Sequence, residues 1–340
     1  MAIENLKQNT LTICTVSFGH KRLIEENMKL VEKMNPGVFV RWIIVDNTPQ
    51  NYGDTFEIKN TANVLVIKGI PNTFGQMARG SYHHASGLNL AIKEVESKYA
   101  LILDPDFFIV SKNWITEVLN HMKDSSLGFF GAPYNPKRYL KYRYFPCIHC
   151  MFIDLEMVDK KKIDFSPDYA DEKLIANRNK VETEYQSKIK LIYRIWNDLK
   201  SHLRYILKRQ VIIGSSRDTG YKVYKNYSEA FKSECLQPVF KMSSSKIYPF
   251  YLKSFLNVFL ESFLSEKLSY FPKKIGYFAK SSFSDLGFPE VFGRGWDEFL
   301  WKGRPFGFHM QGAKKDGGTT NHSDDMVDLS RILGYFIEAK

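Results

Sequence analysis

The sequence predicts an α/β fold built on a mostly parallel sheet flanked by helices, and three observations carry that expectation. Strand-like and helix-like segments alternate over about residues 10–155. Leu101, Ile102 and Leu103 read as a buried strand apolar on both faces, as in a parallel sheet covered by helices. Clear stops follow several of the segments, at Pro36-Gly37, Asp46-Asn47-Thr48-Pro49 and Asp104-Pro105. Such alternation implies right-handed βαβ units.

The elements follow in order. Leu11–Ser17 (LTICTVS) is rich in β-formers, and Lys21–Met34 has helical spacing closed by Pro36-Gly37. Val40–Val45 is the second strand, ending on Asp46-Asn47-Thr48-Pro49, and Asn63–Lys68 the third. Residues 81–97 read as a helix and Tyr99–Leu103 as the fourth strand. Pro105 ends that strand, because proline lacks the N–H a ladder needs. Trp114–Met122 reads as a helix, and Gly128–Ala132 begins a further strand.

Beyond about residue 155 the composition shifts, which suggests a first half over 1–155 and a second over 156–340 that is helical, aromatic-rich and basic. Residues 186–210 carry seven Lys or Arg against one Asp. Ile189, Ile192, Trp196, Leu199, Leu203 and Ile206 recur at helical spacing, while Lys190, Arg194, Arg204 and Lys208 fall on another face. That pattern describes a helix lying on an anionic membrane surface, with a core-docked surface helix as the alternative. Residues 252–268 present Phe255, Leu256, Phe259, Phe263 and Leu264 on one side, for core packing or, alternatively, a lipid or dimer contact.

Composition bounds the function. A chain of 340 residues with 44% hydrophobic and 25% charged residues folds around an ample core. Lys and Arg outnumber Asp and Glu 48 to 37, so a polyanionic partner suits it: nucleic acid, anionic membrane or a phosphorylated substrate. Four cysteines make no disulfide framework, and Cys147-x-x-Cys150 lacks the second pair of a zinc site, even with His149 between them. The polar start MAIENLKQNT shows no signal peptide, and no stretch reaches the ~18 apolar residues of a membrane span. A cytoplasmic location, peripheral on the inner membrane face, is the expectation.

Three strand ends carry the chemistry: Thr15, Ser17, Phe18 and Gly19 after the first, Asp46 and Asn47 after the second, Asp104 and Asp106 after the fourth. The C-terminal ends of parallel strands converge on one edge, where open α/β sheets bind ligands. Paired carboxylates there suit Mg²⁺ or Mn²⁺ bridging to substrate phosphates. No Gly-x-Gly-x-x-Gly and no Gly-Lys-Ser/Thr loop follows the first strand, which argues against a dinucleotide site or a P-loop.

In this order and spacing, TICTVSFGH, IIVDNTP, the 72–89 stretch NTFGQMARGSYHHASGLN and LILDPDFFI resemble the GT-A glycosyltransferases, specifically the family 2-like nucleotide-diphospho-sugar transferases with an Asp-x-Asp motif. The resemblance implies a GT-A, Rossmann-like fold and a nucleotide-diphosphate sugar donor, UDP-sugar favoured. It also implies a glycan or lipid-linked acceptor and an Mn²⁺ or Mg²⁺ cofactor. Carried over, Asp46 binds the base, Asp106 is the principal metal ligand, and Asp104 contacts the ribose, the metal or its water. Thr15, Ser17, Phe18 and Asn47 line the nucleotide site. Asn89 stands in the place of the Asn of the family's Arg-Asn-x-Gly helix start, with His83-His84 ahead of it where the Arg is missing. The Asp-Thr-Gly at 218–220 resembles that of some bacterial members and makes Asp218 the general base of an inverting transfer, with Asp171 and Glu172 in reserve. A late histidine completes the family's metal sphere; His309 fits, with His322 as second choice. The competing classes are a sugar nucleotidyltransferase, disfavoured by the single Gly in VSFGHKR, and a non-enzymatic basic module binding membrane or nucleic acid. No zinc-finger, RNP-type or KH pattern supports nucleic-acid recognition.

Overall fold

The computed structural model describes residues 11–49, 55–69, 80–135, 141–142, 144–168, 218–239, 283, 286–288, 291, 296–310 and 322–338, and every structural statement concerns these. The amphipathic segments at 186–210 and 252–268, the pair Asp171 and Glu172, and residues 72–79 of the 72–89 stretch lie outside them.

Strands β1 (Leu11–Ser17), β2 (Val40–Asp46), β4 (Val64–Lys68) and β5 (Tyr99–Leu103) lie side by side in the order β4-β2-β1-β5, all parallel. The short β3 (Lys59–Asn60) caps one edge antiparallel to β4. At the other edge β8 (Cys150–Asp154) runs antiparallel to β5 and to β7 (Phe129–Gly131), and β9 (Ser233–Cys235) lies parallel to β7. A smaller antiparallel sheet has the order β10-β11-β12-β6, formed by Gln237–Val239, Asp297–Trp301, Arg304–His309 and Phe107–Ile109.

The large sheet is buried on both faces because β1 is apolar on both. Leu11 and Ile13 join one core, Cys14 and Val16 the other. The first core takes α1 (Lys21–Met34) and α3 (Trp114–Ser125); the second takes α2 (Gly80–Ala91) and α4 (Tyr221–Tyr227). α1 buries Leu23, Ile24, Leu30, Val31 and Met34 at helical spacing, as an amphipathic helix must. Beyond the 12 residues of α2 the chain tightens into one 3₁₀ turn at Ile92–Glu94, shorter than the 81–97 helix expected. α5 (His322–Glu338) closes the described chain; its Leu329, Ile332 and Leu333 enter the first core. No helix among the described residues is long and apolar enough to cross a membrane.

The smaller sheet positions the site. β11 and β12 form a two-residue hairpin, with Lys302 and Gly303 at φ 51° and 76°. Positive φ at both central residues matches the strand twist, and glycine adopts it without strain. β12 then pairs with β6, setting His309 opposite Phe107.

Candidate metal and donor site

The site is assembled at the turn Asp104-Pro105-Asp106. The Phe107 N–H donates to the Asp104 carbonyl at 3.1 Å, closing a four-residue turn with proline in its favoured second place. The buried amide of Asn27, on the apolar face of α1, donates to the Pro105 carbonyl at 2.8 Å. Two antiparallel registers then deliver histidines to the two aspartates. Pairing of Leu103 with Cys150 sets His149 beside Asp104, whose N–H donates to the His149 carbonyl at 3.0 Å. Pairing of Phe107 with His309 sets His309 beside Asp106, whose carbonyl accepts from the Met310 N–H at 2.9 Å.

Side-chain geometry follows. His149 Nδ1 lies 2.6 Å from Asp104 Oδ2, and His309 Nε2 lies 3.0 Å from Asp106 Oδ1. The two imidazole rings stand side by side, centroids 4.2 Å apart and tilted by 33°. His84, on the first turns of α2, brings Nε2 to 3.3 Å from Asp104 Oδ1, yet that oxygen receives no hydrogen bond. His309 Nδ1 is also buried and unpartnered.

Electrostatics sets the charge state. Burial raises the Asp104 carboxyl, but His84, His149 and His309 outweigh it and hold the group below the usual carboxylate range. Burial and Asp104 raise Asp106, and the His309 imidazole opposite it brings it down. Burial pushes His149 down, and the neighbouring His309 pushes further. His309 is carried up by Asp106 against its own burial. Both carboxylates are therefore held toward the ionised form, while of the two adjacent rings His309 is shifted toward the cation and His149 away from it.

Ligand atoms of Asp104, His149 and His309 all lie within 4.8 Å of one another, the arrangement that fits a divalent cation. Donors about 2.1 Å from an ion stand at most about 4.2 Å apart, so the group needs to close by less than about 1 Å. Asp104 Oδ1 and His309 Nδ1, neither of which takes part in a hydrogen bond, support the same fit, since buried polar atoms ordinarily do. Asp106 joins this group through His309 rather than within it.

The remaining sequence-selected residues occupy other places. Asp46 is fully buried; its carboxylate accepts from Thr48 N at 3.0 Å, Phe56 N at 3.1 Å and Lys68 Nζ at 3.3 Å, so it clamps the loop after β2. Asn47 donates to the His83 carbonyl at 2.7 Å, tying β2 to α2. Ser17 Oγ lies 3.4 Å from Thr48 Oγ1; Thr15 Oγ1 is buried without a partner, and Phe18 is half-buried. Asn89 is spent on the 164–166 turn: Nδ2 donates to Asp164 at 3.1 Å, and Oδ1 accepts from Phe165 N at 2.8 Å. His322 begins α5.

Asp218 lies at the start of α4, where its Oδ2 accepts from Lys141 Nζ at 3.1 Å and its Oδ1 from Thr219 N at 2.8 Å. Burial raises its carboxyl; Lys141, Ser81 and Thr219 together hold it below the ordinary range. Lys141 rests over the Tyr134 ring, 4.8 Å from its centroid, and Tyr134 packs edge-on against His149 at 5.4 Å. A continuous run of contacts thus joins Asp218 to the cluster.

Sequence reasoning set His149 aside as a metal ligand, named His84 only as standing ahead of Asn89, and missed Tyr134 and Lys141. The Cys147-x-x-Cys150 motif drew attention to its thiols, which are buried, raised by that burial and unreactive, whereas the histidine between them is the group that counts. The usable signal was a histidine immediately before a strand of five buried residues.

No protein-family model and no curated protein sequence matches the chain. Among solved structures it is similar to S. aureus TarS 1–349, with a TM-score of 0.33 and 14% identity over 48% of this chain and 53% of that one. It is similar to the mannosyltransferase PcManGT from Pyrobaculum calidifontis in complex with GDP-Man and Mn²⁺, at 0.34 and 11% over 47% and 48%. A third is the galactosyltransferase LgtC in complex with donor and acceptor sugar analogues, at 0.30 and 12% over 77% and 98%. The matched region spans about half the length of the first two. Likenesses this weak carry no functional argument.

Proposed function

We propose that the chain is a cation-dependent, inverting glycosyltransferase. It moves a sugar from a nucleoside-diphosphate donor, UDP-sugar favoured, to a hydroxyl of a glycan or lipid-linked acceptor. One observation carries the reading: two ionised carboxylates and two imidazoles meet at the C-terminal edge of a parallel strand. That edge is where α/β sheets bind nucleotides.

A divalent cation held there, Mn²⁺ or Mg²⁺, supplies positive charge against the leaving diphosphate. Asp104, His149 and His309 would hold it, with Asp106 fixing the His309 ring. Asn27 and the β12–β6 pairing keep the turn rigid, so the carboxylates do not drift as charge builds. Asp218 takes the proton of the acceptor hydroxyl. The acceptor oxygen bonds to C1 of the sugar as the C1–O bond to the diphosphate breaks, and the bonding pair leaves with the diphosphate. The ion pair with Lys141 keeps Asp218 ionised, the state a proton acceptor needs, at a cost in basicity. The basic 186–210 segment would hold the protein against an anionic membrane, so liposome flotation should weaken when Lys190, Arg194, Arg204 and Lys208 become Ser.

The test is a thermal-shift screen of UDP-, GDP-, CMP- and dTDP-sugars with and without Mn²⁺. One class should stabilise the protein in an Mn²⁺-dependent way, and Asp106→Ala should abolish transfer while the fold stays intact. Absence of any nucleoside-diphosphate binding in Mn²⁺ would overturn the reading.

A further inference from the structure

We propose that the cluster selects a transition-metal ion bound through two imidazoles over Mg²⁺, and that His149 is the ligand that sets this preference. The inference rests on the reading of the cluster as a cation site and adds which ion it takes and why.

Asp104 and Asp106 alone would form an all-oxygen site. Mg²⁺ suits such a site, because it is small, hard and keeps most of its waters. Imidazole nitrogen instead favours the later first-row ions, with affinity rising from Mn²⁺ through Co²⁺. Here the group within 4.8 Å contains one carboxylate and two imidazoles. The second imidazole is no accident of side-chain wandering. Backbone pairing of Leu103 with Cys150 and the hydrogen bond from Asp104 N to the His149 carbonyl place it, and Tyr134 packs on its ring. The side-by-side rings, centroids 4.2 Å apart, can turn one nitrogen each toward a common point with little motion. An ion there would also engage Asp104 Oδ1 or His309 Nδ1, both buried and neither in a hydrogen bond.

A purely structural role for His149 is the alternative: its 2.6 Å contact would orient the Asp104 carboxylate and nothing more. The two roles differ in how many nitrogens touch the ion. Mn²⁺ bound to the full-length chain, without nucleotide, is read by electron spin-echo modulation from ¹⁴N, and Mg²⁺, Mn²⁺ and Co²⁺ affinities by calorimetry. Two coupled nitrogens are expected, together with Co²⁺ affinity at least about tenfold above Mg²⁺. His149→Gln should leave one coupled nitrogen and cut the Co²⁺/Mg²⁺ ratio about tenfold. A single coupled nitrogen in the unaltered protein overturns the proposal even if the variant fails to fold, as does equal affinity for Co²⁺ and Mg²⁺. Two nitrogens without nucleotide-sugar binding would sustain the inference and sink the glycosyltransferase reading. Nucleotide-sugar binding with one nitrogen would do the reverse.

Discussion

The joint between β2, the end of β4 and α2 can be tested by one methyl group. Gly69 follows β4, and a Cβ built there would lie 1.6 Å from Asn47 Oδ1 and 3.1 Å from Val45 Cγ1. Asn47 is buried and has no room to yield without breaking its 2.7 Å bond to the His83 carbonyl. Gly69→Ala should therefore cost about 1–3 kcal/mol for overpacking plus about 1 kcal/mol for the lost hydrogen bond, roughly 2–4 kcal/mol together. In an Asn47→Ala background the clashing oxygen is gone and Val45 Cγ1 needs to shift by only a few tenths of an ångström. The same glycine change should then be close to neutral, giving a coupling of about 2 kcal/mol or more. Urea unfolding of the four proteins measures the cycle, with m-values checked for constancy. A cost for Gly69→Ala that is equal in both backgrounds would refute the argument and remove Asn47 from the joint.

Other expectations follow from the site. A Cβ at Gly307 would lie 2.5 Å from the Phe108 carbonyl oxygen, so Gly307→Ala should open the β12–β6 pairing and weaken Mn²⁺ binding about tenfold; unchanged calorimetric affinity would show that this pairing does not place His309. Burial raises the Asp164 carboxyl, but Lys222 at 2.8 Å and donors from Ser166 and Asn89 bring it down to about 2. Its unfolded value is about 3.9, so its stabilisation is complete above that pH and is lost as pH falls toward the folded value. Asp164→Asn should flatten the acid-unfolding slope between those values, modestly and less in high salt, because the pair is more than a third exposed; a slope identical to that of the unaltered protein would refute it. Lys141→Met removes the strongest influence lowering Asp218, so that carboxyl rises and the acid limb of kcat/KM for transfer should move to higher pH. A stationary limb would exclude Asp218 as the base.

What was legible in the sequence was local. β1, α1 and β5 fall where apolar periodicity and the Pro-Gly and Asp-Pro stops put them, because burial on both faces writes itself into consecutive residues. The aspartate pair was visible for the same reason: proline and the strand end mark the turn. Asn89 and Asp46 show where this stops. Their residue types suit ligand contacts, but their partners are the 164–166 turn and the loop after β2, a tertiary matter that no spacing encodes. His149 was hidden behind the cysteines on either side of its strand start. The antiparallel β8 and β12 were equally invisible, since short strands from distant parts of the chain leave no period to read.

Those two strands decide what the turn at 104–106 can do. Alone it holds two carboxylates two residues apart, which repel and would remain a solvated bend. The register of β8 sets one imidazole against Asp104 across 45 residues of sequence, and that of β12 sets another against Asp106 across 203. Stability does not ask for this. A buried group of carboxylates and imidazoles must overcome desolvation that apolar side chains of similar volume would never meet, and Phe107, Phe108 and Phe299 show how readily this core is filled with aromatics instead. Two of the buried polar atoms, Asp104 Oδ1 and His309 Nδ1, receive no hydrogen bond even so. Polar concentration that the fold supports from two sheets, without satisfying it internally, is where local rules give way to a ligand.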